Sequence, residues 1–380
     1  MKNIFRIEID TNRVLGLDIL RALAIFFVVL GHGGHLLSEK WQRLNSYFIF
    51  DGVSIFFVLS GFLVGGLLIK QLEQKEFNKR ALFNFWTRRW FRTLPNYFLI
   101  LVVLCLLNFF FTPNFSIKST FKYFIFSQNF FEPHPSNFFP EAWSLSVEEW
   151  FYLLLPICIG TFSIVFKVTH KKGVLTTIIL VIILTTTVRY YRYSTGVIDG
   201  IKDWDLLFRK QVITRLDSLM FGVIGAYIQY YHLPLWLKHK HKLLLLGIFL
   251  FVLSRYLLPN ITSINGLYST VFSFSLIAIA TLLILPYLSD LKTNKSVLYK
   301  PITYLSLISY SMYLLNLSIL QHWILNKIPW NYLTTNNNIT MAINYSLYWS
   351  VLILLSILLY KYFELPITKL RDRIKLQKQY

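Results

Sequence analysis

The chain alternates long apolar blocks with short polar ones. The repeat is about twenty residues, not the three- to four-residue stripe of an amphipathic soluble helix. A helix needs about 20 apolar residues to cross a bilayer. Segments that reach or approach this length lie at 14–37, 47–69, 93–111, 143–166, 173–193, 212–231, 243–258, 267–288, 302–324 and 341–363, with the seventh the shortest. The longest connections are 70–92 and 112–142. The second is rich in Phe and carries Pro113, Pro133, Pro135 and Pro140, as expected of a segment that lies in the membrane interface or dips back as a partial lid. The pattern predicts an all-α polytopic membrane bundle of about ten transmembrane helices, with residues 1–380 forming a single integral-membrane domain and no appended soluble domain. No internal repeat is visible, which argues against an inverted-repeat transporter.

Composition agrees: 55% of residues are hydrophobic and only 15% charged, unlike ordinary soluble domains. The net charge of +20 then reads as membrane orientation, not as a nucleic-acid surface. With both termini cytoplasmic, the inner segments hold roughly twice as many Lys and Arg as the outer ones. The loop between the fifth and sixth spans breaks the rule with Arg189, Arg192, Lys202, Arg209, Lys210 and Arg215, and an anionic ligand is one reason to keep them there. The start (Lys2, Arg6, Glu8, Asp10, Arg13) lacks a small-residue cleavage pattern, so the first span is expected to be retained in a multi-pass plasma-membrane protein. Cys105 and Cys158 fall inside apolar blocks and suggest neither a disulfide nor a metal site.

Charges inside these blocks carry the candidate chemistry. A charged side chain near the bilayer centre costs about 3 kcal/mol or more unless it faces protein or water. The first span holds Arg21 and His32, eleven residues apart, which places them on one helix face roughly 16 Å apart in depth. Glu148 and Glu149 open the fourth span, Arg215 and Asp217 the sixth, and Tyr310, Tyr313 and Asn316 sit in the ninth. Topology assigns most of them to the outer half, where a His beside a Glu can act as a general base with the carboxylate fixing its tautomer. The same residues would equally serve as polar ties between helices. On the other side, Arg89 and Arg92 are one turn apart and can hold phosphates by bidentate hydrogen bonds, or simply anchor the helix with Trp86 and Trp90. Ser60, Gly61, Gly65 and Gly66 let helices approach closely or leave room for a thin ligand. No G-x-S-x-G elbow and no His/Cys metal spacing occur, so no metal is expected.

Six segments in order, LDILRALAIFFVVLGH, GVSIFFVLSGFL, RRWFRTLP, AWSLSVEEWFYLLLP, RLDSLMFG and ISYSMYLL, resemble the integral-membrane acyltransferase 3 family, whose members O-acylate bacterial cell-surface carbohydrates. The resemblance implies functional roles for Arg21, His32, Arg89, Arg92 and Glu148. Two positions depart from the pattern: Ser54 stands where an Asp is common and Asn316 where a His is common. Asn316 can hydrogen-bond but cannot serve as a base near neutral pH, so the base role falls to His32 alone.

The expectation is therefore an O-acetyltransferase moving acetyl from acetyl-CoA at the cytoplasmic side to a hydroxyl of a lipid-linked glycan or exopolysaccharide. His32 would be the base, and Glu148 would orient His32 or bind the acceptor. Arg21, Arg89, Arg92 and Ser60 would line the donor path, and Trp143, Arg215, Asp217 and Asn316 would contact the acceptor. Membrane lipid is expected as a partner and nucleic acid is not. Direct transfer and an acyl-His intermediate both fit. The rival is a non-catalytic transporter or polysaccharide-export protein using the buried charges as a permeation path.

Overall fold

Leu, Ile, Val and Phe blocks leave the backbone to satisfy its own hydrogen bonds in lipid, so each folds as a helix. The computed structural model describes residues 7, 9, 13–74, 79–135, 137–196, 198–292, 297–330 and 336–376. Helices stand at all the expected positions: α1 (Leu15–Gly33), α2 (Gly52–Gln74), α3 (Lys79–Phe111), α4 (Ala142–Ile164), α5 (His170–Ser194), α6 (Leu216–Tyr231), α7 (Lys240–Val252), α8 (Ser273–Asp290), α9 (Tyr299–Leu315) and α10 (Asn337–Leu359). Wider π-type turns extend several of them, at Leu253–Leu257 after α7, Tyr268–Phe272 before α8, Asn316–Ile324 after α9 and Tyr360–Glu364 after α10. Among the described residues there is no strand, and eight helical runs are long and apolar enough to cross a membrane. The protein is an all-α multi-pass membrane bundle. The charged residues Lys2, Arg6, Glu8 and Asp10 and the chain end beyond 376 lie outside the described residues.

One boundary differs from expectation in a way that matters. Helix α3 begins at Lys79, not at 93, so Arg88, Arg89 and Arg92 sit on the third and fourth turns of a 33-residue helix. Pro95 falls inside it, which membrane helices tolerate because neighbours re-satisfy the freed backbone group. The 112–141 connection folds back onto the bundle. The Tyr97 hydroxyl donates to the Tyr123 carbonyl (2.9 Å), the Trp150 indole to Phe126 (2.9 Å), and the Asn129 amide to Trp143 (2.9 Å) and Lys210 (2.7 Å). His134 is buried there against Tyr123, and burial first, then the Lys210 charge, pushes its imidazole down to about 4.

Helices α2 and α6 touch backbone to backbone. A Cβ on Gly61 would lie 1.9 Å from the Leu219 carbonyl oxygen, and one on Gly222 would lie 2.1 Å from that of Val58. Without a hydrophobic drive between helices in lipid, such small-residue contacts give the close packing that holds them. Gly222→Ala must push the helices apart and should destabilise the bundle by about 1–3 kcal/mol. The readout is the melting temperature in detergent; an unchanged value would refute this contact.

Candidate active site

Among the described residues, two of the cavities between the helices share Val53 of α2 in their linings. The smaller, about 120 Å³, is walled by five helices: Arg21 from α1, Ser60 from α2, Arg89, Arg92 and Thr93 from α3, Glu148 and Tyr152 from α4, and Tyr310 and Tyr313 from α9. It brings together Arg21, Arg89, Arg92, Ser60 and Glu148, which the sequence had placed on four separate spans. Three guanidinium groups face one carboxylate. Among the described residues neither Arg21 nor Arg92 has a hydrogen-bond or ion-pair partner. Cations that line a cavity without a partner suit an anionic ligand.

The carboxylates of α4 divide as their 100° separation requires. Glu149 is buried and accepts from the Thr93 hydroxyl (2.7 Å). Glu148 faces the cavity and accepts from the Tyr152 hydroxyl (3.2 Å), which is 2.6 Å from Ser60 Oγ. The Tyr310 hydroxyl donates to the Thr93 carbonyl (2.7 Å), tying α9 to α3.

The larger cavity, about 600 Å³, is lined by Gly31 and His32 from α1, by Asp51, Gly52 and Val53 at the start of α2, and by Trp204, Arg209, Arg255 and Tyr268. His32 Nδ1 is hydrogen-bonded to Asn316 Oδ1. The Asn316 amide nitrogen donates to the carbonyls of Met312 (3.1 Å) and Tyr313 (2.7 Å). That nitrogen is thereby committed to its own helix, so the oxygen must face the ring. In the neutral ring Nδ1 then carries the proton, and Nε2 keeps its lone pair. Asn316 thus supplies the tautomer control that the sequence assigned to Glu148. Glu148 does not stand beside His32; its azimuth on α4 turns it into the arginine cavity.

Asn316 opens the π-turn that follows α9, and Glu141, just before α4, clamps that turn. One Glu141 oxygen accepts from the backbone N–H groups of Leu317 (2.9 Å) and Ser318 (2.8 Å), and the other accepts from the Ser318 hydroxyl. Ser144 Oγ lies 2.6 Å from the Tyr313 hydroxyl on the same pair of helices.

Trp143, Arg215 and Asp217, expected at the acceptor, are not among the residues lining either cavity. Trp143 is buried edge-on against Phe57, with the Arg209 guanidinium 5.4 Å from its ring. Arg215 is fully buried between Phe57 and Phe274 and donates to Ser54 Oγ (2.6 Å). Asp217 pairs with Arg189 at 2.7 Å, both side chains fully buried, and also accepts from Ser275 (2.8 Å). The unexpected basic residues between α5 and α6 are therefore partly consumed inside the protein. Asp51, Tyr152 and Glu141 were not singled out in the sequence, whereas Arg209 stood among the basic residues kept between the fifth and sixth spans. Asp51 carried a readable signal, because an Asp immediately before an apolar helix with a Ser three residues later is an N-cap pattern. Behind the cavity-lining Arg209, Asp205 pairs with its guanidinium at 2.8 Å. Burial pushes its carboxyl up, but the Arg209 and Lys210 charges outweigh this and hold it below the usual carboxylate range.

Among known proteins, the peptidoglycan O-acetyltransferase OatA of Listeria monocytogenes is 28% identical over 243 residues, covering 56% of this chain and 38% of the Listeria protein. The O-acetyltransferase OatA of Staphylococcus aureus is 29% identical over 226 residues, covering 56% of this chain and 34% of its own length. The chain thus spans about a third of the length of these curated relatives. No solved structure matches it. The family profile described as an acyltransferase domain matches residues 14–361, nearly all of the bundle that forms both cavities. The chain belongs to the acyltransferase 3 family.

Proposed function

We propose that the protein is a membrane O-acetyltransferase that takes acetyl from acetyl-CoA and places it on a hydroxyl of a cell-envelope carbohydrate, lipid-linked or polymeric. The observation that carries this reading is the pair of cavities that share Val53 in their linings, one rich in arginine and the other holding a tautomer-locked imidazole. In this reading Arg89, Arg92 and Arg21 bind the phosphates of CoA on the cytoplasmic side, and the thioester reaches the Val53 junction. The acceptor enters the histidine cavity. Its hydroxyl oxygen attacks the thioester carbonyl carbon as His32 Nε2 takes the hydroxyl proton. The C–S bond then breaks, and the proton passes to the departing sulfur to give free CoA. An acetyl group carried transiently on His32 fits the same geometry. The names of the relatives support acetyl as the group and a glycan as the acceptor.

The test is purified protein in liposomes given acetyl-CoA and soluble peptidoglycan fragments. Acetyl ester and free CoA should form in equal amounts. Solute movement without CoA release would instead favour a transporter. Arg89→Ala and Arg92→Ala should each raise the KM for acetyl-CoA roughly ten- to hundredfold, since hydrogen bonds to charged groups contribute about 1.5–3 kcal/mol. Unchanged CoA binding would remove these residues from the donor site.

A further inference from the structure

We propose that Asp51 is an acceptor-binding carboxylate of the histidine cavity, holding the hydroxyl edge of a polyhydroxylated, sugar-like acceptor in front of His32, with Arg209 as the neighbouring donor. The inference rests on the acetyl-transfer reading above.

Asp51 and His32 line the same cavity from different helices. Asp51 caps α2: Oδ1 accepts from the Ser54 backbone N–H (3.1 Å) and Oδ2 from the Ser54 hydroxyl (2.6 Å). Each carboxylate oxygen can accept two hydrogen bonds, so half of its capacity is left for a ligand. Ser54 Oγ in turn accepts from Arg215, which is fully buried and wedged between two phenylalanine rings. Asp51 is thus the negative end of a fixed chain, Arg215 to Ser54 to Asp51, and its carboxylate cannot swing out of the cavity without breaking that chain. Ser54 is one of the two positions where the sequence departs from the resembled pattern, and this chain of contacts gives it a job. Its hydroxyl passes the Arg215 contact one turn back to a carboxylate at the helix start.

The rest of the lining fits a sugar better than a simple alcohol. Arg209 is bonded to Asp205 through one nitrogen and has further donors to offer. Trp204, Phe251 and Tyr268 supply apolar aromatic wall. A carbohydrate presents hydroxyls on its edge and C–H groups on its faces, so its site needs both a fixed carboxylate and rings. An N-cap by itself does not explain an aspartate here, because Asn caps a helix about as well.

That equivalence provides the test. Asp51→Asn keeps the cap and removes the charge. Membranes from source cells carrying wild-type, deleted or variant chain would be given radiolabelled acetyl-CoA, and label in base-labile esters of the endogenous glycan would be counted. Asp51→Asn should cut incorporation at least about tenfold with the KM for acetyl-CoA unchanged, and the purified variant should bind CoA like wild type. Asp51→Glu, which keeps the charge, should recover part of the rate. Incorporation at the wild-type level in Asp51→Asn would overturn the proposal. So would loss of CoA binding in both Asp51 variants, which would make the carboxylate structural. If wild-type membranes incorporate no more label than the deletion, the acetyl-transfer reading itself fails and takes this proposal with it.

Discussion

His32→Ala should lower acetyl-transfer turnover by about a hundred- to ten-thousandfold, the range of a single general base, and leave the affinity for acetyl-CoA unchanged. The second half of the statement comes from the geometry. His32 lines the larger cavity, and the arginines line the smaller one. On the proposed reading, removing the imidazole deletes the proton acceptor and leaves the arginine cavity unchanged. The Arg89 and Arg92 variants should show the opposite split, with weakened donor binding and a smaller effect at saturation. Steady-state kinetics with CoA release as readout, together with direct CoA binding, distinguishes the two. A His32→Ala enzyme with full turnover would end the mechanism, and one that lost CoA binding would merge the two cavities into one site.

Asp217→Ala should be the most destabilising single substitution of a charged residue in the bundle. Arg189 and Asp217 are both fully buried and meet at 2.7 Å, and Arg189 is further held by the Thr214 carbonyl (3.2 Å) and Ser275 (2.9 Å). Deleting one member of such a pair leaves a bare buried charge and costs about 3–5 kcal/mol. The expected result is a large fall in melting temperature or loss of a monodisperse peak in detergent. Asp217→Asn, which keeps a hydrogen-bond acceptor, should be milder. A stable Asp217→Ala protein defective only in acceptor use would restore the acceptor role that the sequence suggested.

How far the sequence could be read is clearest residue by residue. The helices were visible because a membrane helix is written in one dimension, as a run of apolar residues. The eleven-residue spacing of Arg21 and His32 predicted one shared helix face, whereas the structure places the two in the linings of different cavities. Glu148 shows the limit. Its position along α4 indicates a depth but not which neighbours its face meets, and the structure turns it to Tyr152 and the arginines. Asn316 was readable as a hydrogen-bonding substitute, yet its grip on His32 depends on two carbonyls of its own helix and on a widened turn pinned by Glu141 from across the bundle. Arg215 and Asp217 were read as ligand contacts because their partners, Ser54 and Arg189, come from other helices. Such pairings are three-dimensional facts that spacing does not encode.

The position of Val53, bordering both chambers, has a consequence for the membrane as an insulator. Where an envelope enzyme brings a soluble nucleotide thioester up to a substrate from the opposite face, the bilayer's resistance to ions is concentrated into whatever separates the two wet compartments. Here Val53, at the head of α2, contributes to the walls of both chambers. In the reading proposed above, the acetyl group would change hands beside Val53 with CoA held in one chamber and the acceptor in the other, so that neither large molecule would have to cross the bilayer.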